Sequence, residues 1–335
     1  MEDAMSGSPV FVAGLERTGT SLMYALLASH PDIAMTRRTN LWPYFYERYG
    51  DLRDSANVDR CFEKMEKYKR LHVLDIDWES LRGEFDTGDP TYPRLFALLE
   101  QQIADRHGKS RWGDKSLHTE RYADPILAAY PDARILHMMR DPRDRFASVI
   151  ARWKVRRGGV GAGVAEWRTS ARLAARNLAE YPDRYRVVRY EDLVRDPDAV
   201  MRDVCGFIEA AYDPAMLNME GAPEFRKQGS NRSYGPRRVG TISTDSIGRY
   251  ASVLTPDQVR FIDRRVGALM AGFGYAMTET GDGASLTYVV RTLSPELLRY
   301  RGWQVRQAWR SWRGLDVPDY RLIETGKSEE TGRSE

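Results

Sequence analysis

Apolar and β-branched residues cluster in short segments at three places, "PVFVAG" (9–14), "ARILHMM" (133–139) and "RYRVVRY" (184–190). Runs of this length, rich in Val and Ile, predict buried β-strands. Between them apolar positions recur at helical intervals. "SLMYALLASHP" predicts a first helix starting at Ser21 and stopping before Pro31, and "TPDQVRFIDRRVGALMAGFGY" a late helix capped by Thr255 and closed by glycines. Strand, helix and strand in alternation predict a three-layer α/β fold, with a central, mainly parallel sheet and helices on both faces.

Residues 40–108 are aromatic and mixed in charge, with helical spacing and few strand signals, and predict a helical insertion. "RRGGVGAGVAEW" is dense in glycine and suits a lid or a plain surface loop equally. A long stretch from Gly221 to Tyr250 has the length of a functional or disordered loop. The expected division is a disordered N-terminus (1–8), a principal domain (9–275), a C-terminal helical extension (276–322) and a disordered tail (323–335). The extension contains the basic, Trp-bearing pattern "LSPELLRYRGWQVRQAWRSWRGL", which suits a helix packed back on the domain or, alternatively, a membrane-surface or partner contact.

Composition narrows the picture. The chain has 335 residues, 42% of them hydrophobic, which supports one large domain with additions or two small ones. A net charge of +3 gives no reason to expect nucleic-acid binding. Two cysteines, Cys61 and Cys205, exclude a disulfide framework and suit a reducing cytoplasm. The N-terminus "MEDAMSGSPV" has no secretory pattern, and no apolar run is long enough for a membrane span.

Candidate chemistry begins after the first strand. In "GLERTGTSL", Gly14, Gly19 and Ser21 stand where a phosphate loop G-x-x-x-x-G-K-[ST] has its fixed positions, but Thr20 replaces the lysine. Consecutive N–H groups of Arg17, Thr18, Gly19, Thr20 and Ser21 at a helix N-terminus favour a phosphate or sulfate. An ordinary glycine turn fits the same residues. After the second apolar run, "RDPRDRFAS" places Arg140 at a strand's carboxyl end and Ser148 eight positions on along the next helix, both within reach of one anion. Taken singly, Asp141, Arg143 and Asp144 there suit a solvated charge cluster.

Together, "RTGTSL" and "RDPRDRFAS", in that order and each after a strand, resemble the PAPS-dependent sulfotransferase family, and "ASHPD" at the end of the first helix agrees. The likeness runs from about Val10 to Tyr275 and is nearest to the protein-tyrosine and heparan branch. It implies a P-loop-like fold. The first motif would bind the 5′-phosphosulfate of PAPS, with Arg17 in place of the loop lysine, and Arg140 and Ser148 would bind the 3′-phosphate. PAP would leave as product, with no metal required. By the match of "RWGDKSLHTERY", Lys115 would stabilise charge on the departing phosphate, although Leu117 stands where relatives often have Pro. "NRSYGPRRVGTIS" resembles the segment that closes over the nucleotide; Arg237 and Arg238 are the preferred cations there, ahead of Arg232 and Ser233.

The resemblance weakens at the general base. Relatives of that branch carry a Glu after the first helix, where "MTRRTN" places Arg37 and Arg38. Arginine cannot serve as a base. His118 and Glu120, just past Lys115, are the main candidates, with Glu16 and Asp114 weaker ones. Arg37 and Arg38 suit either an anionic acceptor or plain surface charge, and "LWPYFYERY" suits an apolar acceptor cleft or the core. The expectation is a cytoplasmic enzyme that moves a sulfonate from PAPS to a hydroxyl of a small-molecule, lipid or glycan acceptor. Its rivals are a non-catalytic PAP- or nucleotide-binding module and a degenerate P-loop kinase.

Overall fold

The structure is a computed structural model that describes residues 8–153, 159–223 and 241–278, together with the isolated positions 302 and 305. The expected segments 1–7, most of the C-terminal extension and the tail lie outside the described residues.

Five parallel strands form the central sheet in the order β2-β3-β1-β4-β5. They are β1 (Val10–Gly14), β2 (Ile33–Arg37), β3 (Arg111–Lys115), β4 (Arg134–Met139) and β5 (Tyr185–Arg189). The three apolar runs became β1, β4 and β5. Strands β2, "IAMTR", and β3, "RWGDK", carried no comparable signal. Both are short and polar at their carboxyl ends, and they are strands because the fold covers them. Gly113 in β3 shows how tightly: a Cβ there would lie 2.5 Å from both the Met35 sulfur and the Val10 carbonyl oxygen.

Helix α1 (Thr20–Ala28) follows β1 directly and packs its Leu22, Met23, Leu26 and Leu27 against Val10, Val12 and Leu136. The same face receives α10 (Tyr190–Arg195), α11 (Pro197–Phe207) and a 3₁₀ turn at Pro214–Asn218. The predicted helical insertion is α2 (Leu41–Tyr44), α3 (Ser55–Lys67), α4 (Lys69–His72), α5 (Trp78–Asp86) and α6 (Tyr92–Arg106). Its aromatics Trp42, Phe45 and Tyr49 enter the core with Phe96 and Tyr130, so that part of the run is structural. A 3₁₀ turn (Thr119–Tyr122) and α7 (Ala123–Ala129) follow β3, and α8 (Pro142–Trp153) and α9 (Gly159–Glu180) follow β4. Short α12 (Tyr250–Val253) and long α13 (Pro256–Gly272) close the described fold. The expected cap on α13 is present as a reciprocal box between Thr255 and Gln258.

Two local expectations need correction. Helix α1 starts at Thr20, after Gly19 in the left-handed conformation at φ +100°, and Ser21 is exposed and does not cap it. The glycine-rich segment from Gly159 onward is the start of α9, neither lid nor loop. Its glycines allow close packing: a Cβ on Gly163 would stand 2.7 Å from the Phe146 ring.

Candidate active site at the carboxyl edge of the sheet

Strand order reverses around β1, with β3 on one side and β4 on the other, and open α/β sheets bind ligands outside the carboxyl ends at such a reversal. The loop after β1 runs from Gly14, at φ +124°, through Arg17, at φ +70°, to Gly19. Arg38, Asn40 and His118, at the ends of β2 and β3, also hold left-handed backbone without being glycine. Such conformations cost energy and cluster where the surroundings impose them for function. Thr18 turns its hydroxyl to the Leu15 carbonyl at 2.8 Å, which shapes the loop from within. Gly19 allows the ring of Tyr190 to lie against the backbone: a Cβ there would be 2.6 Å from that ring.

Both halves of the second motif meet this loop. Arg140 donates to the Arg17 carbonyl oxygen at 3.2 Å, and the Arg17 Nε donates to the Ser148 hydroxyl at 2.8 Å. Arg140 and Ser148 are buried. The Arg140 guanidinium stacks on Tyr190, 4.5 Å from the ring centre, and donates to the Ser246 carbonyl oxygen at 2.7 Å. Its Nε is buried with no partner among the described residues, an orphaned charged donor of the kind an anion would satisfy.

Lys115 ends β3, in register with Arg37 of β2. Burial, together with the charges of Arg38 and Arg37, lowers its ammonium pKa to about 8. Arg38 donates its backbone N–H to the Lys115 carbonyl oxygen at 2.9 Å. The positive charges of Arg70, Arg37 and Arg152 bear on Arg38. Guanidinium groups therefore gather near Lys115: Arg37 and Arg38 act on it directly, and Arg70 and Arg152 on Arg38. His118 is half-buried, and its Nδ1 has no hydrogen-bond partner among the described residues.

The other base candidates are committed elsewhere. Glu120 is buried, with one oxygen accepting from the Gly14 N–H at 3.2 Å and the other from the Ser170 hydroxyl at 2.9 Å. Glu16 pairs with buried Arg145 at 3.3 Å. Asp114 faces away, into a buried cluster where Thr36 and Thr39 donate to it at 3.1 and 2.7 Å. Glu100 joins that cluster through Thr36 at 2.9 Å, and burial with the Asp114 charge raises its pKa well above the ordinary carboxyl range.

Other supporting residues carried no interpretable signal in the sequence. The supposed solvated cluster is internal: Arg143 bridges Asp141 at 2.6 Å and Asp263 at 3.3 Å. Asp144 accepts from the backbone N–H of Gly248 and Tyr250 at 2.7 and 2.8 Å, and so fixes the return of the late loop beside Ser246. Arg232, Ser233, Arg237 and Arg238 lie outside the described residues.

Residues 9–214 match the family model described as the sulfotransferase family. Among similar proteins, the protein-tyrosine sulfotransferase of Drosophila melanogaster is 26% identical over 220 residues, which are 63% of this chain and 40% of that protein. Protein-tyrosine sulfotransferase A of Caenorhabditis elegans is 24% identical over 276 residues, 79% of this chain and 67% of the relative. The chain therefore spans well under half of the fly relative and about two thirds of the worm one. Among solved structures, the sulfotransferase domain of the Synechococcus PCC 7002 olefin synthase superposes with a TM-score of 0.58 at 22% identity, over 81% of this chain and 97% of that domain. The sulfotransferase domain of the curacin biosynthetic pathway gives 0.58 at 16% identity, over 81% and 99%. At these identities the likeness is one of fold.

Proposed function

The chain belongs to the sulfotransferase family, and from that membership we propose that it transfers a sulfonate group from PAPS to an acceptor hydroxyl and releases PAP. The observation that carries this reading is the meeting of Arg140 and Ser148 on Arg17 of the β1 loop, which puts two anion-binding elements side by side at one sheet edge.

The residues fit the donor. Left-handed backbone at Arg17 and Gly19 suits a loop whose N–H groups converge on one phosphate, and the orphaned Arg140 Nε suits a second phosphate. The donor, when bound, supplies a sulfur atom whose bond to the 5′-phosphate oxygen breaks as the acceptor oxygen bonds to it. Lys115 is the cation that meets the charge growing on that phosphate oxygen, and Arg17 adds a second positive charge from the loop. Thr18 belongs to the same loop and Thr20 and Ser21 to the first turn of α1 that follows it; the exposed Ser21 hydroxyl and the N–H groups of loop and helix start are the donors to the ligand. His118 is the general base that takes the acceptor's proton, because Glu120, Glu16 and Asp114 are held by other partners.

The group of Arg37, Arg38, Arg70 and Arg152 suits an acceptor that carries a negative charge near its hydroxyl. Thr20 in the lysine position argues against a metal-assisted kinase, which needs that cation on the outer phosphates. The test is mass spectrometry of a metabolite extract incubated with the protein and PAPS. New ions heavier by one sulfonate, absent when PAPS is omitted, support the reading. PAP binding without such products would leave a nucleotide-binding module, and Mg²⁺-dependent ATP binding without PAP binding would favour the kinase.

A further inference from the structure

We infer that Glu120 is a positioning residue, which clamps the donor loop to the turn that carries Lys115 and His118. Both polar groups of Gly14 are bonded to that turn. The Gly14 N–H donates to Glu120 at 3.2 Å, and the Gly14 carbonyl oxygen accepts from the His118 N–H at 3.3 Å. Gly14 is the point where β1 becomes the loop, and close packing fixes it: a Cβ there would stand 2.6 Å from the Met138 carbonyl oxygen of β4.

Behind Glu120 lies a buried chain of polar groups from separate elements. The Ser170 hydroxyl of α9 donates to Glu120 at 2.9 Å and lies 3.1 Å from the His137 Nε2 of β4. The His137 Nδ1 lies 2.6 Å from the Tyr185 hydroxyl of β5, and Asn177 donates to the Glu120 carbonyl oxygen at 2.9 Å. Burial lowers the His137 pKa and raises that of Tyr185, so both stay neutral. With Ser170 donating to Glu120, one arrangement satisfies the neutral chain. Tyr185 donates to Nδ1, Nε2–H donates to Ser170, and Ser170 donates to a carboxylate. For Glu120, burial favours the neutral acid, while the backbone and Ser170 hydrogen bonds favour the carboxylate. Each donor points toward the carboxylate, whose second oxygen is left to hold Gly14. Asn177 Oδ1 has no partner among the described residues, but the chain Glu120–Ser170–His137–Tyr185 is paired throughout and such a chain is stiff, so the distance from the loop N–H groups to Lys115 is set by Glu120.

The inference rests on the proposed donor site, in which the β1 loop takes the 5′-phosphate and Arg140 the 3′-phosphate. Adenosine 5′-phosphate and adenosine 3′-phosphate therefore probe the two ends separately. In Glu120→Ala, calorimetry should show the dissociation constant for the 5′-phosphate rising at least tenfold and that for the 3′-phosphate changing less than twofold. Glu120→Gln, whose amide can still accept from Gly14 and donate to Ser170, should recover most of the 5′-phosphate affinity. Equal weakening for both nucleotides, or no change for either, overturns the clamp. If Glu120→Ala does not fold, Ser170→Ala removes one support of the carboxylate and should show the same selectivity more weakly; no selectivity there overturns the clamp as well. Wild-type protein that binds neither nucleotide would instead overturn the donor-site reading on which the clamp depends.

Discussion

Lys115 offers the sharpest test of the site, because its charge state is poised within the working pH range. Its pKa falls from 10.5 to about 8, chiefly through burial and then through the positive charges of Arg38 and Arg37. That shift corresponds to roughly 3 kcal/mol against the ammonium form. A bound PAP, with several negative charges nearby, favours the ammonium and raises the pKa again, so binding above pH 8 must take up a proton. The sign follows from linkage: affinity is fully present below the free-state pKa and is lost as pH rises through it. With a free-state pKa of about 8, roughly 10% of Lys115 is neutral at pH 7 and roughly 90% at pH 9, so the dissociation constant for PAP should rise about tenfold across that interval. Calorimetry at pH 7, 8 and 9 in buffers of different ionisation enthalpy reads both the affinity and the proton uptake, which should be about half a proton at pH 8. Lys115→Met should bind more weakly at pH 7 and show no such slope. Wild-type affinity that is flat from pH 7 to 9, or an equal slope in Lys115→Met, would refute the placement of this ammonium beside the ligand.

Arg140→Ala should weaken PAP binding more than tenfold, since a hydrogen bond to a charged group is worth about 1.5–3 kcal/mol, and Ser148→Ala should weaken it less; titration calorimetry reads both. His118→Ala should abolish sulfonate transfer in a PAPS turnover assay while PAP affinity stays within about twofold, and normal turnover would remove His118 as the base. Glu100 has a pKa raised by burial and by Asp114, so its contribution to stability is present below its unfolded pKa of ~4.3 and fades as pH rises through the raised value. Thermal unfolding should therefore show Glu100→Gln gaining on the wild type between pH 5 and pH 8, and a constant difference would mean Glu100 is not protonated in the fold.

What the sequence determined by itself was local. The segments rich in apolar and β-branched residues at β1, β4 and β5 mark strands, and the all-apolar run of β1 marks one buried along its whole length. The glycine spacing at Gly14 and Gly19 marks a loop that needs left-handed backbone, and the missing lysine at Thr20 separates this loop from those that serve polyphosphate chemistry. The order of the two motifs then carried the family. Tertiary structure decided the rest, since the deciding contacts join residues far apart in the chain. Strands β2 and β3 hold too few apolar residues to announce themselves, and are strands because α1 and α6 cover them. Arg17 and Ser148 meet across 131 residues, and Glu120 reaches Gly14 across 106. That second contact ties Glu120 to the β1 loop, a partner that its place in the sequence does not show. Lys115 looks like any lysine in the sequence; only burial beside Arg37 and Arg38 brings its pKa to about 8. Pattern along a chain encodes which residues are buried, but a charge acquires its chemistry from neighbours that only folding brings together.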